Sequence, residues 1–375
     1  MDRYPAISDL ERRAKRRIPS FAWEYLESGT GDDAARDNNR AALQAVQFRP
    51  QFLKGPLDPQ ISTTLFGTTY RAPIGIAPVG LTGLIWPGAD AALAYHASHA
   101  EVPYVLSTVA TTSPEAAGAR AGGMGWFQLY PPRDPELRRD LIERAATAGL
   151  TTLVVTADVP SPSRRERQRK ARIRVPPEIG PTVIAQAAIR PAWALATLRE
   201  GLPRFEGLER YIDAATMKST AGFVGAKLGG TLSWDYLEEL RGEWEGPLVV
   251  KGILDPDDAA RCVDSGADAV WVSNHGGRQL DGAIASIDAL PAIAQRVDGA
   301  VPLLFDSGIR DGLDIARAIA LGADFCFAGR PFLFGLGALG EVGVQHVLDI
   351  LIDGLCTTMH QVGVENIDDL ANRLR

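Results

Sequence analysis

The sequence has little of what marks metal-binding, disulfide-rich or nucleic-acid-binding proteins. Its three cysteines, Cys262, Cys326 and Cys356, have no metal-type spacing, so we expect reduced thiols. His, Asp and Glu residues also lack ligand spacing, and no metal site is expected. The net charge of −7 argues against nucleic acid as a partner.

Long apolar segments are missing as well. The N-terminus has no signal-like apolar segment, and no run of about eighteen apolar residues could span a bilayer. We therefore expect a cytoplasmic protein. A basic cluster near the start is interpreted as the solvated face of a helix; it consists of Arg12, Arg13, Lys15, Arg16 and Arg17.

Eight short apolar runs do recur along the chain, each followed by polar residues or glycine. They lie at 74–77, 104–106, 126–127, 153–155, 248–250, 269–272, 302–305 and 325–328. Helix-like stretches such as 135–148, 256–265 and 312–320 separate most of them. This alternation predicts an α/β fold, a (β/α)8 TIM barrel forming one domain over 1–375, with its active site at the carboxyl ends of the strands.

The fourth and fifth runs are much farther apart than the others, which predicts a long insertion after strand 4 at about 160–230. Its first part is rich in arginine, and 179–202 is apolar with interspersed arginines and Trp193. An amphipathic segment of this kind lies on a membrane surface in some proteins. A lid or subunit-contact loop over the barrel is the other interpretation.

The tips of the strands carry groups for acid–base chemistry and anion binding. His275 and Arg278 follow the sixth run, separated by two glycines, and offer a proton acceptor and a carboxylate clamp. The last two tips carry glycines and arginines suited to a phosphate. Other tips carry Ser107, Gln128, Thr156, Lys251 and Ser273, which suit the edge of a flat heteroaromatic ring. A non-redox phosphate-binding barrel would explain only the last two tips.

From about residue 7 to its end, the chain resembles the FMN-dependent L-2-hydroxy acid oxidase and dehydrogenase family. The resemblance rests on WEYLESG at 23–29, FQLY at 127–130, TAD at 156–158, SNHGGRQLD at 273–281, DSGIR at 306–310 and GRP at 329–331. It implies FMN as cofactor, His275 as base with Asp158 beside it, and Tyr130 at the substrate oxygen. It assigns the substrate carboxylate to Tyr25, Arg165 and Arg278. For FMN it implies Pro78, Val79, Gly80, Ser107, Gln128, Thr156, Lys251, Ser273, Asp306, Ser307, Gly308, Arg310, Gly329 and Arg330.

Within the family, Gly80 resembles the lactate and mandelate dehydrogenases more than the glycolate oxidases, and Val109, where those oxidases tend to carry tryptophan, implies a roomier substrate pocket. This favours oxidation of a lactate- or mandelate-like acid, with electrons passed to a quinone or another acceptor. An oxygen-using oxidase that makes hydrogen peroxide is the alternative. The family resemblance also implies a homotetramer, and the likeness of the insertion to that of mandelate dehydrogenase implies peripheral contact with the inner face of the cell membrane.

Overall fold

The computed structural model describes residues 3–171, 180–212, 217–229 and 232–375. These described residues form ten strands: β1 Thr63–Leu65, β2 Thr68–Tyr70, β3 Ile74–Ile76, β4 Tyr104–Ser107, β5 Gly125–Leu129, β6 Leu153–Thr156, β7 Leu248–Ile253, β8 Ala269–Val272, β9 Leu303–Phe305 and β10 Phe325–Ala328. β1 and β2 form an antiparallel pair, and β3 to β10 form a closed parallel barrel in chain order. The predicted (β/α)8 barrel is confirmed.

The α-helices alternate with the barrel strands. They are α1 Ile7–Arg17, α2 Ser20–Glu27, α3 Ala34–Ala45, α4 Ala89–His99, α5 Pro114–Ala121, α6 Pro135–Thr147, α7 Glu166–Lys170, α8 Pro181–Ala188, α9 Pro191–Glu200, α10 Met217–Lys227, α11 Trp234–Glu243, α12 Pro256–Asp264, α13 Ser286–Val297, α14 Gly312–Ala320, α15 Arg330–Leu339 and α16 Val342–Val362. Short 3-10 helices cover Thr82–Leu84, Glu206–Tyr211 and Ile367–Arg373. Local sequence explains several starts: α6 and α12 begin with proline after an aspartate whose side chain caps the first turn.

The barrel interior is aromatic and closed at its amino end. Trp126, Trp271 and Phe327 are buried inside it, and the β1–β2 pair covers that end, where the Trp126 indole donates to Tyr70 at 3.3 Å. Polar groups therefore gather at the opposite, carboxyl end of the strands. This is the end at which (β/α)8 enzymes place their active sites.

The insertion follows β6, the fourth barrel strand, as predicted, and carries α7 to α10. Part of its expected apolar outer face is in fact internal. Trp193 is buried, packs edge-on against Phe21 with ring centroids 5.7 Å apart, and donates to the Leu84 carbonyl. The apolar side chains that do face outward belong to Ile184, Ile189, Leu195, Leu198 and Leu202. Residues 172–179, including Ile179, lie outside the described residues. Among the described residues, no helix is both long enough and apolar enough to cross a membrane.

Candidate active site

A cavity of about 730 Å³ opens at the carboxyl end of the barrel, and we call it the active-site cavity. Seventeen of the twenty predicted site residues line it: Tyr25, Pro78, Val79, Gly80, Gln128, Tyr130, Thr156, Arg165, Lys251, His275, Arg278, Asp306, Ser307, Gly308, Arg310, Gly329 and Arg330. Ser107, Asp158 and Ser273 instead stand behind lining residues and hydrogen-bond to them. These three residues therefore act on the cavity indirectly, by orienting the lining side chains to which they are hydrogen-bonded.

His275 lies at the tip of β8 in an unusual backbone conformation, with φ of 57°. Its Nδ1 lies 2.9 Å from Oδ1 of Asp158. Burial opposes ionisation of Asp158 most strongly, but the charges of His275 and Lys251 outweigh it and hold the pKa of the Asp158 carboxyl below its ordinary value. An ionised Asp158 keeps a proton on Nδ1, so Nε2 is the imidazole atom that can accept one.

Arg278 and Arg165 bring positive charge beside His275. One guanidinium nitrogen of Arg278 donates to the backbone carbonyls of Tyr25, Leu26 and Ser28, which fixes its position. Burial, followed by the nearby charges of Arg165 and Arg330, lowers the pKa of Arg278 to about 9. Because this charge is crowded and poorly solvated, an anion placed here is strongly favoured.

Two tyrosines complete this wall. The Tyr25 hydroxyl donates to the Gly80 carbonyl at 2.9 Å, which links α2 to the loop after β3. Burial, only partly offset by Arg165, raises the pKa of Tyr130 to about 12. The Tyr130 phenol therefore keeps its proton at neutral and mildly alkaline pH, where it can donate a hydrogen bond.

Lys251 belongs to a buried network that joins three strand tips. Its Nζ lies 2.7 Å from both Ser273 Oγ and Asp306 Oδ2, and Asp306 Oδ1 also accepts from the hydroxyls of Ser273 and Ser307. The same hydroxyls accept the backbone N–H groups of His275 and Gly276. Asp306 thus ties the position of the lysine to that of the histidine loop.

A second polar chain crosses the neighbouring tips. Gln128 donates from Nε2 to Thr156 Oγ1 at 2.9 Å and accepts from Ser107 Oγ at 2.8 Å. All three side chains are buried. These hydrogen bonds orient the Gln128 amide with its oxygen toward Ser107 and its nitrogen toward Thr156. The hydrogen-bonded side chains present a polar edge to the cavity.

The tips of β9 and β10 form a cationic cradle. Gly308 has φ of 106°, and a Cβ there would lie 2.8 Å from Leu43 Cδ1, so only glycine fits. Burial and the charges of Arg330 and Arg40 lower the pKa of Arg310 to about 10. Among the described residues, Arg310 Nε is buried without a hydrogen-bond partner. Such a donor needs an acceptor, and a phosphate oxygen fits it.

Sequence reasoning missed three groups here. Asn39 of α3 forms a reciprocal pair of 2.8 Å hydrogen bonds with Asn274, which holds the histidine loop from the other side. Arg133 and Arg169 line the cavity and add to its positive charge. The apolar side chains of Phe205, Val224 and Leu228, all from the insertion, line it too. Asn39 had no signal in the sequence, because its partner is 235 residues away.

Three comparisons with known proteins agree with this geometry. Residues 14–375 match the model of the family described as FMN-dependent dehydrogenase. The L-lactate dehydrogenase of Pseudomonas aeruginosa (strain LESB58) is 39% identical over 368 residues, which cover 98% of this chain and 96% of that protein. The crystal structure of the monotopic membrane protein (S)-mandelate dehydrogenase has a TM-score of 0.95 at 34% identity, covering 99% of both chains. A crystal structure of mandelate oxidase has a TM-score of 0.84 at 34% identity, covering 99% of this chain and 98% of that one.

Proposed function

Because the chain belongs to the FMN-dependent dehydrogenase family, we propose that this enzyme oxidises an L-2-hydroxy acid to the 2-oxo acid. The observation that carries the proposal is the His275–Asp158 pair beside Arg278 in one cavity. Oxidation of a 2-hydroxy acid requires a base that removes a proton and a cationic group that binds the carboxylate, and His275 and Arg278 supply both.

FMN is the cofactor, and it supplies the acceptor for the two electrons that leave the substrate. In this proposal Arg310, Arg330 and the backbone at Gly308 and Gly329 hold its phosphate. The partnerless Nε of Arg310 and the glycine cradle support this placement. Asp306 and Ser307 lie next along the cavity wall, toward the ribityl chain. The isoalloxazine ring is assigned to Pro78, Val79, Gly80, Gln128, Thr156 and Lys251, backed by Ser107 and Ser273.

The remaining residues bind substrate and move its proton. Arg278, with Arg165 and Tyr25, holds the carboxylate, and the Tyr130 hydroxyl donates to the substrate oxygen. Nε2 of His275 takes up the proton released on oxidation, from the hydroxyl or the α-carbon. Asp158 stabilises the resulting imidazolium because its carboxylate lies 2.9 Å from Nδ1.

The substrate side chain is proposed to be lactate- or mandelate-like. Val109, Phe205, Val224 and Leu228 line the cavity and offer an apolar wall to it. The named relatives act on lactate and mandelate, which differ in this side chain. We infer a pocket that accepts groups larger than a methyl.

The electrons are proposed to pass to a quinone or another acceptor, because Gly80 resembles the lactate and mandelate dehydrogenases. A Cβ at this position would lie 2.5 Å from Val109 Cγ2, so alanine would force the valine to move. A hydrogen peroxide-forming oxidase is the alternative. We also propose a homotetramer that attaches from the cytoplasmic side to the inner face of the cell membrane through α8 and α9. The outward apolar residues of these helices support that attachment.

Anaerobic stopped-flow absorbance of the holoenzyme tests the function. Mixing with L-lactate or L-mandelate should bleach the oxidised flavin, and readmitted air should restore the colour slowly. Rapid recolouring with hydrogen peroxide would make the enzyme an oxidase. A flavin that none of a series of 2-hydroxy acids bleaches would overturn the proposal.

A further inference from the structure

Outside the active site, arginines line a groove of about 540 Å³ between α1 and the junction of α8 with α9. We call it the arginine groove. Six arginines and one acidic residue, Asp9, line it: Arg3, Arg12, Arg13, Arg16, Arg17 and Arg190. Four of these arginines belong to the basic cluster that was interpreted from sequence as a solvated helix face. That interpretation fits Arg12 and Arg16, which are exposed, whereas Arg13 and Arg17 are only partly exposed and lie over the rings of Tyr4 and Trp86.

Little of this charge is neutralised within the protein. Arg12 pairs with Asp9, and Arg13 is held by the Tyr4 hydroxyl and the Ala338 carbonyl. Over the described ranges, Arg3, Arg16, Arg17 and Arg190 form no ion pair with a carboxylate. Like charges that face one concavity repel each other unless an anion joins them, and guanidinium groups bind phosphate through paired hydrogen bonds.

The groove is continuous with an apolar surface. Ile189 lines the groove and is 66% exposed, and the same segment carries the exposed side chains of Ile184, Leu195, Leu198 and Leu202 on α8, α9 and the loop that follows. Five of the eleven exposed large hydrophobic residues in the described part of the chain thus lie within 184–202. A free anion in solution would not contact these apolar side chains. A phospholipid would, because it presents a phosphate and an acyl chain side by side.

The two surfaces are also fixed to each other. Arg190 Nε donates to the Ile18 carbonyl at the end of α1, and Gln186 Oε1 accepts from the Ser20 hydroxyl at 2.7 Å and from the Phe21 N–H. Buried Trp193 anchors α9 beside them. The groove is therefore held beside the helices that we propose to dock on the membrane.

We propose that the arginine groove binds the phosphate of an anionic phospholipid headgroup and makes membrane attachment selective for anionic lipids. This inference rests on the proposed docking of α8 and α9. Arg3 and Arg16 are the arginines to test, because both are exposed and neither holds the insertion in place as Arg190 does.

The experiment is flotation of the holoenzyme with vesicles of pure phosphatidylcholine and of phosphatidylcholine mixed with phosphatidylglycerol. The wild type should favour the mixed vesicles, and the double variant R3Q/R16Q should lose roughly 30-fold in binding to them, at about one kcal/mol per arginine. Its binding to phosphatidylcholine should not change. Arg296→Gln, which removes an exposed arginine outside the groove, is the matched control.

The outcomes separate this inference from the docking itself. Equal binding to both vesicles, reduced by L195Q/L198Q, would overturn the headgroup site and leave apolar docking standing. Binding to mixed vesicles that requires Arg3 and Arg16 but is indifferent to L195Q/L198Q would retain the site and remove apolar docking. Release from mixed vesicles by low inorganic phosphate, with equally tight phosphate binding in calorimetry, would make it a site for free anions and overturn the lipid assignment.

Discussion

Arginines gather at two places in this protein, and the two groups differ in how their surroundings hold them. Arg278, Arg310 and Arg330 are part-buried at the barrel tips, where backbone carbonyls orient them and burial lowers their pKa values. Arg3, Arg12 and Arg16 lie exposed along a helix or beside it. Solvent and salt screen the second group but hardly the first. We therefore expect the first group to hold a bound anion at any salt concentration, and the second to hold an anionic lipid headgroup less tightly as the salt concentration rises.

The largest expected effect follows from replacing His275, the proposed base, which lies in the same cavity as the part-buried arginines. His275→Gln should slow flavin reduction by substrate on the order of 10³-fold, because general-base catalysis is lost while the flavin stays bound. Stopped-flow absorbance measures the rate. His99→Gln, an exposed histidine whose Nδ1 lies 2.9 Å from the Tyr95 carbonyl in the same helix, is the control and should reduce normally.

Arg278→Met should lower kcat/KM by about 10²-fold, because it removes a buried charge-assisted contact with the substrate carboxylate. Steady-state kinetics with an artificial acceptor measures this. R3Q/R16Q should leave the same constant unchanged in detergent-free solution. A loss of comparable size in the groove variant would erase the proposed division between the two arginine groups.

Tyr130→Phe should cost about tenfold in kcat/KM, the value of one neutral hydrogen bond. With its pKa near 12, the phenol is protonated throughout the neutral and mildly alkaline range, so the loss should be the same at every pH there. A pH profile of both enzymes checks this. A loss that disappears as the pH rises would mean that Tyr130 titrates during turnover.

The smallest expected effect is that of salt on KM for the hydroxy acid, and it separates the two arginine groups. Raising ionic strength from 0.1 to 1 M shortens the Debye length from about 10 to 3 Å. KM for the hydroxy acid should rise only a few-fold, because the buried arginines are poorly screened. Binding to anionic vesicles should collapse over the same range. Equal salt dependence of the two would contradict the difference in burial.

Of the two arginine groups, only the one at the barrel tips could be predicted from the sequence, because the barrel itself could be predicted. Strand tips such as Gln128, Lys251 and Gly308 were predicted because a residue's position after an apolar run determines its place in a (β/α)8 barrel. Side-chain layering was not predictable in this way, so the residues that stand behind the cavity, such as Asp158, could not be told from those that line it. Asn39 and the arginine groove could not be foreseen, since both depend on contacts between segments far apart in the chain.

The most direct test of the account is equilibrium titration of the holoenzyme with pyruvate or benzoylformate, followed by the flavin difference spectrum. These 2-oxo acids retain the carboxylate but cannot be oxidised in the same way. We predict that Arg278→Met loses about 10²-fold in affinity while R3Q/R16Q binds as the wild type does. Unchanged binding by Arg278→Met would contradict the claim that the buried arginines recognise the substrate carboxylate.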